Sequence, residues 1–310
     1  MCHDKRYVSS FLAKCRGESN MNGLFFRTAL VSRRLAYLAC MLCACVPRMA
    51  SSQTPSPLQE WQYPGGIMLE KLFEPNVPEW RFVLGAAVVA EPAYDGARAY
   101  HLQAGPVIDI RYRDIAFASV GEGIGVNIVR GTNYRVGIAI GYDLGRRVSD
   151  EQTHLHGLGD IPRSPAIKLF GAYVISKELP IELRADVRQL VGGGADGLIG
   201  DLEAFMPLPG SSETFAMLAG PSITYANRPY MQNRFGVSTS QALASGYARY
   251  NADGGANAVG LGFSATRFVT HKWLINADLA MNRLLGSAGD SPITQSPLQV
   301  VFELSTEFRW

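Results

Sequence analysis

Apolar and polar residues alternate with a period of two along most of the chain from Trp80 to Trp310, in segments of about ten residues bounded by Gly, Pro, Asn and Asp. The last segment is the clearest. Leu298, Val300, Phe302, Leu304, Thr306, Phe308 and Trp310 share one face, and Gln299, Val301, Glu303, Ser305, Glu307 and Arg309 share the other. A helix would scatter these charges around its circumference, whereas a strand gathers them on one side. Pro180 to Val191 repeats the design, with Ile181, Leu183, Ala185 and Val187 against Glu182, Arg184, Asp186 and Arg188. Lys272 to Asn282 sets Trp273, Ile275, Ala277, Leu279 and Met281 against Asn276, Asp278 and Asn282, and Ala104 to Arg113 sets Ile108, Ile110 and Tyr112 against Asp109, Arg111 and Arg113.

Weaker patterns predict further strands at 81–90, 114–120, 124–130, 134–144, 166–176, 197–206, 215–226, 228–237 and 259–269. Together these make about thirteen. Single-chain bacterial barrels carry an even number, so the expectation is about twelve strands, with ten as the alternative. A soluble sandwich also alternates, but its apolar faces meet in a dry core and its polar face is the outer one. Here the polar face carries both signs at close spacing, which suits a crowded interior whose charges pair while the apolar face meets lipid. The expected fold is an all-β, antiparallel transmembrane barrel. Trp80, Tyr112, Tyr134, Tyr142, Tyr225, Tyr230, Trp273 and Trp310 fall at strand ends, where aromatic girdles sit at the two membrane surfaces.

The front of the chain changes the picture. Arg33 and Arg34 precede an unbroken apolar run, Leu35 to Val46, followed by Pro47 and the small residues Ala50, Ser51 and Ser52. That order reads as a secretory signal cleaved before Gln53, too short to span a bilayer as a helix. Residues 1–52 are thus an N-terminal extension and signal peptide, with Met21 an alternative start; a rival reading makes Cys45 an acylated lipoprotein cysteine. Residues 53–78, rich in Pro, Ser and Gln, read as a periplasmic tether, and 79–310 as the barrel. All five cysteines precede Gln53, so the mature chain has no thiol for a disulfide, a thiolate metal site or a nucleophile. The basic surplus also lies in front: from Gln53 onward 21 Lys and Arg face 25 Asp and Glu, a balance that excludes a general nucleic-acid binder.

Candidate chemistry is sparse. His154 and His156 share one loop segment and could touch one metal, but no third ligand is evident. His101 and His271 stand apart from them. Gly192-Gly193-Gly194-Ala195-Asp196-Gly197 imitates a phosphate loop, but no helical period follows to aim an N-terminus at an anion, so it reads as a hairpin turn. The inward charges Asp109, Arg111, Arg184, Asp186, Arg188, Asp278, Glu303 and Arg309 suit either a pore lining or a paired, filled interior. No catalytic, cofactor or metal residue is assigned, and the expectation is a protein that is not an enzyme.

Several turn sequences, in order, resemble the MipA/OmpV outer-membrane family: Pro92-Ala93-Tyr94-Asp95-Gly96 with Tyr100; Gly141-Tyr142-Asp143-Leu144-Gly145-Arg146; Phe235-Gly236-Val237; Ala244-Ser245-Gly246; and Leu284 through Ile293. The resemblance covers about Glu79 to Trp310. The chain departs from the family pattern at Ser287, where Asp is usual, at Arg234, where an aromatic is common, and at its last residue, more often Phe than Trp. The resemblance implies a Gram-negative outer-membrane location, with the final strand ending at Trp310 read by the outer-membrane assembly machinery. It also implies a non-enzymatic scaffold that bridges a lytic transglycosylase and a bifunctional peptidoglycan synthase. A small-solute channel or a surface adhesin is the alternative. The glycines and aspartates of these motifs read as corner-forming residues, since Gly reaches positive φ and Asp bonds nearby amides.

Overall fold

The structure is a computed structural model and describes residues 78–176, 178–192, 196–212 and 214–310. The signal, Cys45 and nearly all of the tether lie outside the described residues. Twelve strands follow one another in the wall: β1 (Trp80–Pro92), β2 (Tyr100–Tyr112), β3 (Ala116–Ser119), β4 (Gly123–Arg130), β5 (Tyr134–Asp143), β6 (Ser164–Val174), β7 (Glu182–Leu190), β8 (Gly197–Pro207), β9 (Phe215–Ala226), β10 (Gly255–Phe268), β11 (Trp273–Leu284) and β12 (Leu298–Arg309). Each pairs antiparallel with its sequence neighbours, and β1 closes the barrel against β12 in the register Val83 to Arg309 through Ala90 to Phe302.

The alternation resolves as the sequence implies. Along β12, Gln299, Val301, Glu303, Ser305 and Glu307 are buried, whereas Leu298, Phe302, Leu304 and Thr306 are exposed. On β7, Glu182, Arg184 and Asp186 are buried and Leu183, Ala185 and Val187 exposed. Because the side-chain period is two, one residue of slip would turn every charge toward lipid, so the pattern itself fixes the register. No helix among the described residues is long and apolar enough to cross a membrane, and the crossing is made by strands.

The two rims differ. At the rim holding Trp80 and Trp310, connections are short, as at 113–115, 131–133 and 269–272; at the other, residues 144–163, 227–254 and 285–297 form long loops. Short turns mark the periplasmic side of such barrels and long loops the outer side. At the periplasmic rim Trp80 stacks on Phe82 at 5.7 Å and tilts against Tyr112 at 4.8 Å, and Phe82 stacks on Trp310 at 5.6 Å. Phe308 continues the belt to Trp273 at 5.0 Å. Tyr100, Tyr142 and Tyr225 are exposed near the outer rim.

Two expectations are corrected. The segment 228–237 is not a strand: Arg228–Phe235 forms a helix in the β9–β10 loop, capped by the Asn227 side chain, which accepts from the Tyr230 amide at 3.1 Å, with Pro229 in its first turn. Removing that segment brings thirteen candidate strands to twelve. Tyr230 accordingly leaves the girdle, buried in this helix at 3% exposure.

Candidate functional site

Three places could carry function: the lumen, the outer mouth and the periplasmic rim. The lumen is built from inward positions of the strands. Phe117 and Phe170 meet edge to face at 5.6 Å inside the wall, and both need a glycine opposite. A Cβ at Gly125 would strike the Phe117 ring, and one at Gly137 the Phe170 ring. Around these rings runs an ion-pair lattice. Arg111 binds Asp109 at 3.0 Å and also Glu122, which in turn takes Arg184 at 2.9 Å. Arg188 lies 3.2 Å from Asp186 and binds Asp201, which accepts from the Thr224 hydroxyl at 2.5 Å. Glu122 is the junction, since its two arginines come from β2 and β7, separate parts of the wall. Arg111 and Arg184 are legible as inward charges in the sequence; Glu122 is not, because it sits in the β3–β4 turn, where alternation gives no direction. On the β10–β12 side the buried groups are bonded more locally: Thr266 donates to Asn276 at 2.6 Å, Asn276 to Asp278, and Ser305 to Glu307 at 2.9 Å. Asp278 and Glu303 stand opposite each other in the ladder.

The mouth is covered by the long loops. Four short α-helices lie in them: α1 (Gln152–Leu155), α2 (Arg228–Phe235), α3 (Thr239–Ser245) and α4 (Gly286–Gly289). The motif segments converge here. The Tyr94 hydroxyl donates to the Ile293 carbonyl at 3.0 Å and accepts from Gln295 at 2.6 Å. Arg234 reaches both oxygens of Asp143, at 2.5 and 2.6 Å, and lies 3.5 Å from Asp95. Arg146 donates to the Arg234 carbonyl at 3.1 Å, and the Ser291 hydroxyl to the Phe235 carbonyl at 2.6 Å. Beneath these bonds Tyr94, Leu155, Leu158, Val237 and Ile293 form one apolar cluster. Read singly the motifs shape corners; together they lock four loops into one cap. Sequence reasoning missed that joint role, because no local pattern announces a contact between residues 143 and 234. Arg234, noted only as a departure from the family pattern, is the centre of the cap. Burial raises the Tyr94 hydroxyl to about 12. Burial, reinforced by the neighbouring Arg234, lowers Arg146 to about 10.

His154 is in α1, its imidazole 2.8 Å from Glu151, whose carboxylate also caps that helix; His156 is exposed just beyond. His101 contacts Glu91 and Gln103 on β1 and β2, and His271 offers its carbonyl to Arg309 in a periplasmic turn. Among the described residues no group of three potential ligands is arranged to hold a metal ion. Of the glycine run, Gly192 turns at φ +81° at the end of β7, and residues 193–195 lie outside the described residues.

A closed antiparallel wall, apolar outside, charged inside and ringed by aromatics at both rims, defines an outer-membrane β-barrel protein. The chain belongs to the MipA family: the family model described as MltA-interacting protein MipA matches residues 84–310. No curated protein matches it in sequence. Among solved structures it is similar to the NanC porin, with 8% identity, TM-score 0.36 and coverage of 74% of this chain and 98% of that one. It is also similar to the CymD monoaromatic hydrocarbon channel, with 12% identity, TM-score 0.38 and coverage of 76% and 89%. The outer-membrane channel DcaP of Acinetobacter baumannii follows with 9% identity, TM-score 0.33 and coverage of 74% and 96%.

Proposed function

We propose that this chain is a non-enzymatic scaffold, exported by its N-terminal signal, that fixes murein-processing enzymes to the outer membrane. The observation that carries the reading is the filling of the barrel. A conducting pore keeps a hydrated path, whereas here Glu122 ties Arg111 to Arg184 inside the lumen and the Arg234–Asp143 latch holds the loops over the mouth. A filled barrel is a rigid anchor, and its working surface is then the rim and the tether that face the periplasm. That rim presents the exposed Arg113–Glu79 ion pair at 2.7 Å and the carbonyl-bound Arg130. The family description names an interaction with MltA, and the reading takes that partner as a lytic transglycosylase and adds a bifunctional peptidoglycan synthase. The final strand, ending at Trp310, is the segment offered to the assembly machinery.

The test pairs two measurements on the purified, folded protein. Planar bilayers should stay electrically silent, and a column carrying the barrel with its tether should retain a lytic transglycosylase and a peptidoglycan synthase from solubilised envelopes. Steady conductance with no enzyme retained would replace the scaffold with a small-solute channel, and binding only to host surfaces would replace it with an adhesin.

A further inference from the structure

The wall is not equally tall all round. β3 spans only Ala116–Ser119, and its turn into β4 at 120–122 lies partway up β2, whose pairing with β3 ends at Asp109 and Ser119. From Tyr100 to Val107, β2 is bonded to β1 on one side and to no described strand on the other. β5 is likewise unpaired toward β4 beyond Ile140. The result is a notch in the outer half of the wall, between β2 and β5.

Ladder parity identifies the groups that face it. The Ala93 N–H bonds the Ala99 carbonyl, so odd-numbered β2 residues bond β1; the Val120 N–H bonds the Ile108 carbonyl, so even-numbered ones point the other way. The free edge therefore offers the N–H and C=O of Tyr100, Leu102 and Ala104 and the C=O of Pro106. Proline, lacking an N–H, sits where an edge strand tolerates it. Leu102, at 75% exposure, points into the lipid region. Unsatisfied backbone groups are costly there and call for a polar partner. Next to the notch Gly105 is exposed, and a Cβ at Gly105 or Gly141 would meet nothing within 4 Å.

On the lipid side of the same hairpin the small side chains Ala116 and Ala118 leave a groove of about 560 Å³ between Ile110 and Ile138. That volume is in the range of ligand pockets. We propose that groove and notch form one site for an amphipathic lipid of the outer leaflet, its hydrogen-bonding linkage or headgroup meeting the free edge at Leu102 and Ala104 and its acyl chain running down the groove past Ile124 toward Ala118. Both halves point to this occupant, because the groove is apolar and the bare donors and acceptors lie directly beyond it. A second copy does not continue the antiparallel ladder at this edge. Two barrels inserted in the same sense and related by a twofold along the membrane normal cannot bring their β2 edges antiparallel.

The test uses the whole folded barrel in nanodiscs of phosphatidylethanolamine, with or without lipopolysaccharide. The particles are stripped with mild detergent and read by native mass spectrometry. One lipid per barrel should survive, its mass and its dependence on the added lipopolysaccharide distinguishing glycolipid from phospholipid. Filling the groove with Ala116→Trp plus Ala118→Trp should cut retention at least tenfold, and Ala185→Trp on the lipid face of β7 should not. Leu102→Pro deletes one free donor while leaving the bonds to β1 intact, so it should lower retention even where the double variant fails to fold. Equal retention in Leu102→Pro, Ala185→Trp and the parent, no bound lipid in the parent, or a peptide held at the edge in place of lipid would overturn the proposal.

Discussion

Replacing Arg234 with Met keeps the stem of the side chain and removes the charge that clamps the cap. Arg234 is 6% exposed and Asp143 2% exposed, so the substitution leaves a buried carboxylate whose remaining bond is to the Gly145 N–H at 2.7 Å. Removing one partner of a buried pair typically costs about 3–5 kcal/mol. At about 1.4 kcal/mol per factor of ten, the open population of the cap should rise by roughly two to three and a half orders of magnitude. The barrel should remain, because Arg234 lies in α2, outside the strands, and Asp143 ends β5 at the rim. The assay is amide exchange in folded protein. The N–H groups of Gly145 and Val237 should exchange at least a hundredfold faster, those of β11 should hold, and the mobility difference between unheated and boiled samples should persist. Asp143→Asn in the same chain should recover part of the loss, since it neutralises the stranded charge. Exchange at Gly145 within about threefold of the parent, or equal acceleration in β11, would refute the latch.

Other outcomes follow from the same contacts. Leu304→Arg, near the middle of β12 on the lipid face, should cost about 2–4 kcal/mol in reversible folding into vesicles, whereas the same change at Leu298 near the outer rim should cost less. Gly137→Val should displace Phe170 and cost about 1–3 kcal/mol by overpacking, read in the same titration. Glu122→Ala removes the buried carboxylate that Arg111 and Arg184 share, so it should destabilise by about 3–5 kcal/mol and admit ions, seen as new conductance steps. Tyr94 retains its proton in the folded cap to about pH 12, whereas an unfolded tyrosine loses it near 10. Its contribution is therefore complete below about pH 10 and fades as pH rises toward 12, and Tyr94→Phe should remove that part of the alkaline loosening, followed by cap amide exchange.

Much of this architecture could be read from residue order alone, and the exceptions have physical causes. Where one face is charged and the other apolar, as in β7 and β12, both strand and orientation are legible, because a period of two leaves no other way to separate lipid from charge. β2 is longer than its expected span, 100–112 against 104–113, since Gly105 and Pro106 interrupt the alternation at the free edge. The helix at Arg228–Phe235 shows neither period clearly in its sequence, although Asn227 followed closely by Pro229 is a helix start. The cap and the Glu122 junction were hidden for another reason. They join residues such as 143 and 234, or 122 and 184, that only the closed barrel brings together. Gly96, Gly145 and Gly286 turn at positive φ and Asp143 accepts from the Gly145 N–H, as the motifs imply, whereas Gly236 has φ −77° and Asp95 meets Arg234, and the purpose these residues share needs the third dimension.

A sealed anchor requires a lumen closed to water behind a wall that faces lipid, and neighbouring single cysteines on β12 probe both sides. The chain from Gln53 onward has no cysteine of its own. In the folded barrel in vesicles, a nitroxide attached to Leu304→Cys before folding should be relaxed by oxygen dissolved in the acyl phase and not by an aqueous quencher, and Ser305→Cys should stay unmodified by a charged, water-soluble thiosulfonate. Prompt modification of Ser305→Cys by the charged reagent would mean a water-filled lumen and would contradict the sealed anchor.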